Sequence, residues 1–210
     1  MIFALLALRL FAVLGRRTGH EQQRQLPIPA DDRPVVGGVP REAQADSLAA
    51  AQRAAENVVA VPAQAGLRAL IAADRSFDVA QFISGARAAY GMILEAYWKG
   101  DRETLKSLCE PHVYEAFDQA IAAREAEGLT LDNRLVRIDA ANIADVRIED
   151  GKALVSVRFE ADLSAITRDK DDHVVAGSMD DAIATVETWT FGRDVRSRDP
   201  NWHLADTDED

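Results

Sequence analysis

Residues 78–100, DVAQFISGARAAYGMILEAYWKG, decide the fold. Val79, Phe82, Ile83, Ala86, Tyr90, Ile93, Leu94 and Tyr97 recur at three- and four-residue spacing, which lays one apolar stripe along about six helical turns. Asp78 is an N-cap residue, and Gly100 ends the helix while Asp101 caps a short one over 102–108. Pro111 opens a further helix at its first turn, with Val113, Phe117, Ala120 and Ile121 inward, and Gly128 closes it. A long one-sided helix needs an apolar surface to cover, and the chain supplies one next.

Beyond Gly128 the hydrophobic period drops from 3.6 to 2. Leu135, Ile138, Ile143, Val146 and Ile148 form one long strand or a bulged pair, and Glu149-Asp150-Gly151-Lys152 is a hairpin turn. Val155, Val157, Phe159, Ala161 and Leu163 then alternate with polar residues. A charged turn over 168–173 leads to a strand over 184–193 with Trp189 and Phe191. Asp199-Pro200-Asn201 turns the chain into a last strand, Trp202-His203-Leu204. Helices first and an antiparallel meander afterwards predict an α+β fold, with the helices covering one face of a curved sheet.

The 210 residues carry 24 Lys+Arg against 35 Asp+Glu, a net charge of −11. Arg9, Arg16, Arg17 and Arg24 against Glu21 give residues 1–30 a net charge of +3, which leaves −14 on the rest. An acidic body argues against nucleic-acid binding, since that affinity comes from Lys/Arg neutralising phosphates. The lone Cys109 permits no internal disulfide and reads as a buried structural thiol.

Residues 1–15, MIFALLALRLFAVLG, are apolar except for Arg9 but shorter than the roughly 20 residues of a spanning helix. Their positive charge follows the apolar run, which disfavours a cleaved signal peptide. A signal-anchor helix, an interfacial amphipathic helix and a buried helix remain open. A membrane anchor over 1–20 would use Phe3, Leu5, Leu6, Leu8, Leu10 and Phe11, with Arg16 and Arg17 as its basic flank. The positive-inside rule would then hold the acidic body on the cytoplasmic side. Residues 21–45, with four prolines and Gly37-Gly38, have the composition of a flexible, disordered linker. The lead-in over 46–65 has a helix expected from Asp46 to Val59 and ended by Pro62, and a single domain spans 66–207. After Gly66, Leu67, Leu70 and Ile71 share one face of a short helix that packs on the domain or docks on a membrane.

Little catalytic chemistry is legible. His20, His112, His173 and His203 lack metal-ligand spacing, and no phosphate loop, dinucleotide fingerprint or nucleophile elbow is present. The Asp169-Lys170-Asp171-Asp172-His173 run lacks the glycine and terminal glutamate of a calcium loop and reads as a solvated hairpin tip. Asp162 and Glu187 are read as outward-facing. No catalytic residue, cofactor or metal is expected. A curled sheet under helices can enclose an apolar pocket, with Phe82, Tyr90, Ile93 and Phe117 from the helices and Phe159 and Trp189 from the sheet, unless these rings fill the core.

The run FDVAQFISGARAAYGMILEAYWKGDRETLKSLCEPHVYEAFDQAIAAREAEG, the later VSVRF and ETWTFGRDVRSRDPNWHLADT, and the N-terminal VLGRRTGHE closely resemble bacterial relatives of subunit 44 of the translocase of the mitochondrial inner membrane. The likeness covers about residues 66–207 and the basic head. Its most specific pieces are Trp189-Thr190-Phe191 with Arg193-Asp194, the Pro200-Asn201-Trp202 turn and the Gly100-Asp101 break.

The resemblance implies a cone of the nuclear-transport-factor-2 type and a non-enzymatic adaptor on the bacterial inner membrane, its domain facing the cytoplasm. It implies contact with inner-membrane lipid such as cardiolipin and with an unidentified protein partner. Mitochondrial members tether the Hsp70 chaperone to the import channel, but most of their long charged N-terminal region has no counterpart here. The family also tends to have glycine where this chain has Asp172.

Overall fold

The computed structural model describes residues 58–209. The expected anchor over 1–20, the linker over 21–45 and the lead-in helix up to residue 57 lie outside the described residues. Four helices, α1 (Ala63–Ala73), α2 (Val79–Lys99), α3 (Arg102–Leu108) and α4 (Pro111–Ala126), precede four strands, β1 (Thr130–Glu149), β2 (Lys152–Arg168), β3 (Val174–Asp194) and β4 (His203–Glu209). The strands form one antiparallel sheet in the order β1-β2-β3-β4. The α+β layout of helices followed by an antiparallel meander is therefore as the hydrophobic periods predict.

Local chemistry sets the helix ends. The Asp78 carboxylate accepts the Gln81 amide at 2.7 Å at the start of α2, and Asp101 does the same for Thr104 at 3.1 Å at the start of α3. Gly100 ends α2 with φ 73°, its amide directed at the Ala96 and Tyr97 carbonyls. The buried Arg124 donates to the Tyr97 carbonyl at 3.2 Å and so supplies a cation to the same helix end.

The centre of the core is where α2 crosses the sheet. Tyr90 stacks on Phe159 of β2 at 4.4 Å and meets Trp189 of β3 at 4.6 Å, all three being fully buried. Glu187 belongs to this cluster: its carboxylate accepts the Tyr90 hydroxyl at 3.3 Å and the Trp189 indole N–H at 3.0 Å. Its outward placement is thus corrected. Residue 187 has the same strand parity as 189 and 191, and two aromatic donors make burial of the carboxylate affordable. Burial and the neighbouring Glu187 charge push the Tyr90 hydroxyl well above its usual range. Asp162 does face the rim, where it takes the Arg137 guanidinium at 2.7 Å.

Four other expectations change. Val59 is not helical: it bridges Ile143 in parallel, with the Ile143 amide donating to Val58 at 2.6 Å, so the chain entering the domain extends the edge of β1. Pro62 is the N-cap of α1, which starts before Gly66. β3 begins at Val174 rather than Ala184, because a register shift after Leu163 lets the irregular stretch through Gly177 and Ser178 continue the ladder. β4 runs on through the acidic tail, which pairs with Glu187–Thr190 of β3 despite its low strand propensity.

Two positions are backbone-limited. Gly66 lies so close to β1 that a Cβ there would fall 1.7 Å from the Val146 carbonyl oxygen. Gly66→Ala is expected to lever α1 off the sheet at a cost of about 1–3 kcal/mol, read by urea denaturation. In the β2–β3 turn Asp172 adopts φ 63°, the left-handed region in which glycine is at ease. Asp172→Gly should therefore stay within roughly 1 kcal/mol of the parent, while Asp172→Val should lose about 1–2 kcal/mol in the same assay.

Candidate binding groove

Three elements meet around a groove of about 530 Å³. Its floor is the first two thirds of α2, where Phe82, Gly85, Ala86, Ala89 and Met92 follow helical spacing. One wall is the α1–α2 connection, Ser76 to Asp78. The other is the end of β3 with the β3–β4 turn, bringing Phe191, Arg193, Pro200, Asn201 and Trp202, and Leu108 of α3 completes it.

Four aromatic rings build one end. Phe82 meets Phe77 at 5.5 Å, Trp202 at 4.9 Å and Phe191 at 6.1 Å, mostly edge to face. The other end is open: Met92 is 46% exposed, and nothing within 4 Å would meet a Cβ at Gly85. Large rings and small floor residues give the trough an apolar floor, and Ser76, Asp78, Gln81 and Asn201 add polar groups along its edges.

Arg193 is the basic residue of the lining. It pairs with Asp74 at the C-cap of α1, both side chains being nearly nine-tenths buried, and its guanidinium lies 4.9 Å from the centre of the Trp202 ring. Among the described residues its buried Nε has no hydrogen-bond partner. The Ser76 hydroxyl and amide, then the Arg193 charge, hold the Asp74 carboxyl below its ordinary 3.8. This pair ties α1 to β3 and positions Trp202.

The sequence left two readings for the predicted pocket residues, lining a pocket or filling the core. Of the six assigned to a pocket, Phe82 alone borders the groove. Tyr90, Ile93, Phe159 and Trp189 are locked in the core, and Phe117 sits half-buried 5.3 Å from Tyr97. On α1, Leu70 is fully buried and Leu67 half-buried, while Ile71 is 42% exposed. The stripe is turned toward the sheet, so Leu70 is unavailable to a membrane. The anchor residues Phe3, Leu5, Leu6, Leu8, Leu10, Phe11, Arg16 and Arg17 lie outside the described residues. Sequence reasoning missed Phe77, Gly85, Ala89, Met92, Leu108 and Arg193; the three- and four-residue spacing of Gly85, Ala89 and Met92 was the available signal.

Elsewhere, burial pushes the Cys109 thiol up to about 12, as befits a structural thiol. The β2–β3 turn brings donor atoms of Asp169, Asp171 and His173 within 4.8 Å of one another, but Asp169 already accepts the Asp171 and His173 amides and so shapes the turn. No helix among the described residues is long and apolar enough to cross a membrane.

The Tim44-like domain family matches residues 63–209, most of the chain. The chain belongs to that family. Relatives include the mitochondrial import inner membrane translocase subunit TIM44-1 of Arabidopsis thaliana, 26% identical over 63% of this chain and 29% of the relative. The human subunit TIM44 is 25% identical over 67% of this chain and 32% of its own length. The match thus spans about a third of each relative, and it falls on the domain that carries the groove. Among solved structures, the intermembrane-space region of the chloroplast protein ARC6 is similar at a TM-score of 0.44 and 14% identity, over 60% of this chain and 95% of that one.

Loss of the Asp74–Arg193 pair should be felt in the groove. Asp74→Asn is expected to cost about 2–3 kcal/mol near neutral pH, because a nearly buried guanidinium loses its counter-charge. A carboxyl whose folded pKa is lowered stabilises above its unfolded value, and that contribution is lost as pH falls through the folded one. The gap between parent and variant should therefore narrow as the pH falls below the ordinary carboxylate range, read by urea denaturation at each pH.

Proposed function

We propose that this chain is a non-enzymatic adaptor at the bacterial inner membrane. Residues 1–24 hold it to the bilayer, the linker gives reach, and the domain offers its groove to an apolar segment of a protein partner or to a lipid chain. The observation that carries the reading is an open apolar trough, about 530 Å³, on a domain whose family relatives are named as inner membrane translocase subunits. A cone of the nuclear-transport-factor-2 type, which the family resemblance implies, would suit that role.

Charge supports the geometry. The body is too acidic to attract anionic headgroups as a whole, so lipid contact, cardiolipin included, falls to the basic head and to exposed apolar points such as Ile71. With the head at the membrane, the positive-inside rule favours a cytoplasmic domain. The alternative of a small-molecule enzyme would need an acid in a cavity. Glu187 is the inward carboxylate of the sheet, but it is engaged by Tyr90 and Trp189 and does not border the groove.

Membrane fractionation of the full chain and of a chain lacking residues 1–24 tests the anchor. The full chain is expected to stay with carbonate-washed membranes and the shortened one to be released. Equal retention of both overturns it. For the groove, Met92→Asp should reduce crosslinking to membrane-associated partners several-fold with the thermal midpoint little changed, since Met92 is half exposed.

A further inference from the structure

The groove and the head of the chain are complementary in shape and charge. Placed on a helix, Phe3, Leu6, Ala7, Leu10 and Leu14 share one stripe, with Arg9 off its edge. From Phe3 to Leu14 that stripe is about 17 Å long at 1.5 Å per residue, and the groove floor from Asp78 to Met92 is about 21 Å on the same measure. The stripe carries large side chains, whereas the floor carries the small Gly85, Ala86 and Ala89. Residues 1–30 have a net charge of +3 and the rest of the chain −14, opposite in sign.

We propose that residues 3–14 dock in the groove of their own domain when no membrane holds them, so that anchor and groove mask each other. This rests on the anchor and groove reading above and adds its regulation. Asp78 borders one end of the groove, and Glu95, which holds Lys99 at 2.5 Å, stands about one turn beyond Met92 at the other. Both ends thus carry a carboxylate for the arginines that follow the stripe.

Reach is sufficient. The domain takes up the chain at Val58, on the edge of β1. Residues 16–57, treated as a flexible chain, span roughly 35 Å on average, comparable with the diameter of a domain of this size. Tethering at that length supplies the head at about millimolar effective concentration, enough for a weak apolar contact to form in the absence of lipid. A bilayer offers the same stripe a larger apolar surface, and a partner segment entering the groove would displace the head toward the membrane.

The test uses the full chain with paired cysteines, Leu10→Cys with Met92→Cys, against a control pair, Leu10→Cys with Gln119→Cys on the exposed face of α4; buried Cys109 stays unreactive. A short bis-maleimide is added in buffer and with phosphatidylethanolamine/phosphatidylglycerol vesicles. The expected result is an intramolecular crosslink at least fivefold above the control, falling at least fivefold with vesicles. Gly85→Trp, which fills the open floor, should abolish that crosslink and raise the vesicle-bound fraction at unchanged circular dichroism. A crosslink no stronger than the control, or one found only between chains, overturns self-docking. Vesicle binding that depends on residues 1–24 without the crosslink leaves the anchor standing and removes the docking. A crosslink that vesicles leave intact, with no vesicle binding, does the reverse.

Discussion

Tyr90 is the point on which the rest of the structure depends. Its ring must lie between Phe159 and Trp189 to bury the middle of α2, and its hydroxyl must still find an acceptor inside an apolar core. Glu187 meets that need while sharing the Trp189 indole N–H. One carboxylate thereby fixes the height and rotation of α2 over β2 and β3. A carboxylate kept here needs both donors, so the cluster also specifies a single packing of helix on sheet.

With its middle pinned, α2 meets the two ends of the sheet differently. Beyond Tyr90, Ile93, Leu94 and Tyr97 sink into the core and Arg124 closes the helix end. Before Tyr90, the face carrying Gly85 and Ala89 has no bulk to fill the space beside β3. The Pro200–Trp202 turn closes only part of that space. The groove is thus a consequence of small residues on the face of α2 that precedes Tyr90, while Ile93, Leu94 and Tyr97 beyond it are packed. The Asp74–Arg193 pair keeps its walls at a fixed separation by tying α1 to β3.

Both sheet edges are treated alike. The segment entering α1 bridges β1 at Ile143, and the link between α3 and α4 bridges β4, where the Glu110 amide donates to the Leu204 carbonyl at 2.8 Å. Each covers part of an edge that would otherwise offer free backbone groups to other chains. The Tim44-like domain match covers all of these paired elements from α1 to β4.

Periodicity and capping were enough to determine the helices α2, α3 and α4, the Asp150-Gly151 hairpin and the order of helices before strands, because those signals are local. Strand parity also carried the inward position of Glu187, although an acidic residue argues the other way on polarity alone. What only the tertiary structure decided were the features made by pairing at a distance. The acidic tail became a strand because β3 offered it a ladder, Val59 became extended because β1 had an edge to cover, and Gly66 became obligatory because a helix came to rest on Val146. The groove belongs to the same class. Aromatic residues announce burial from sequence, but which of them leave space between them depends on where three separate elements stop short of one another.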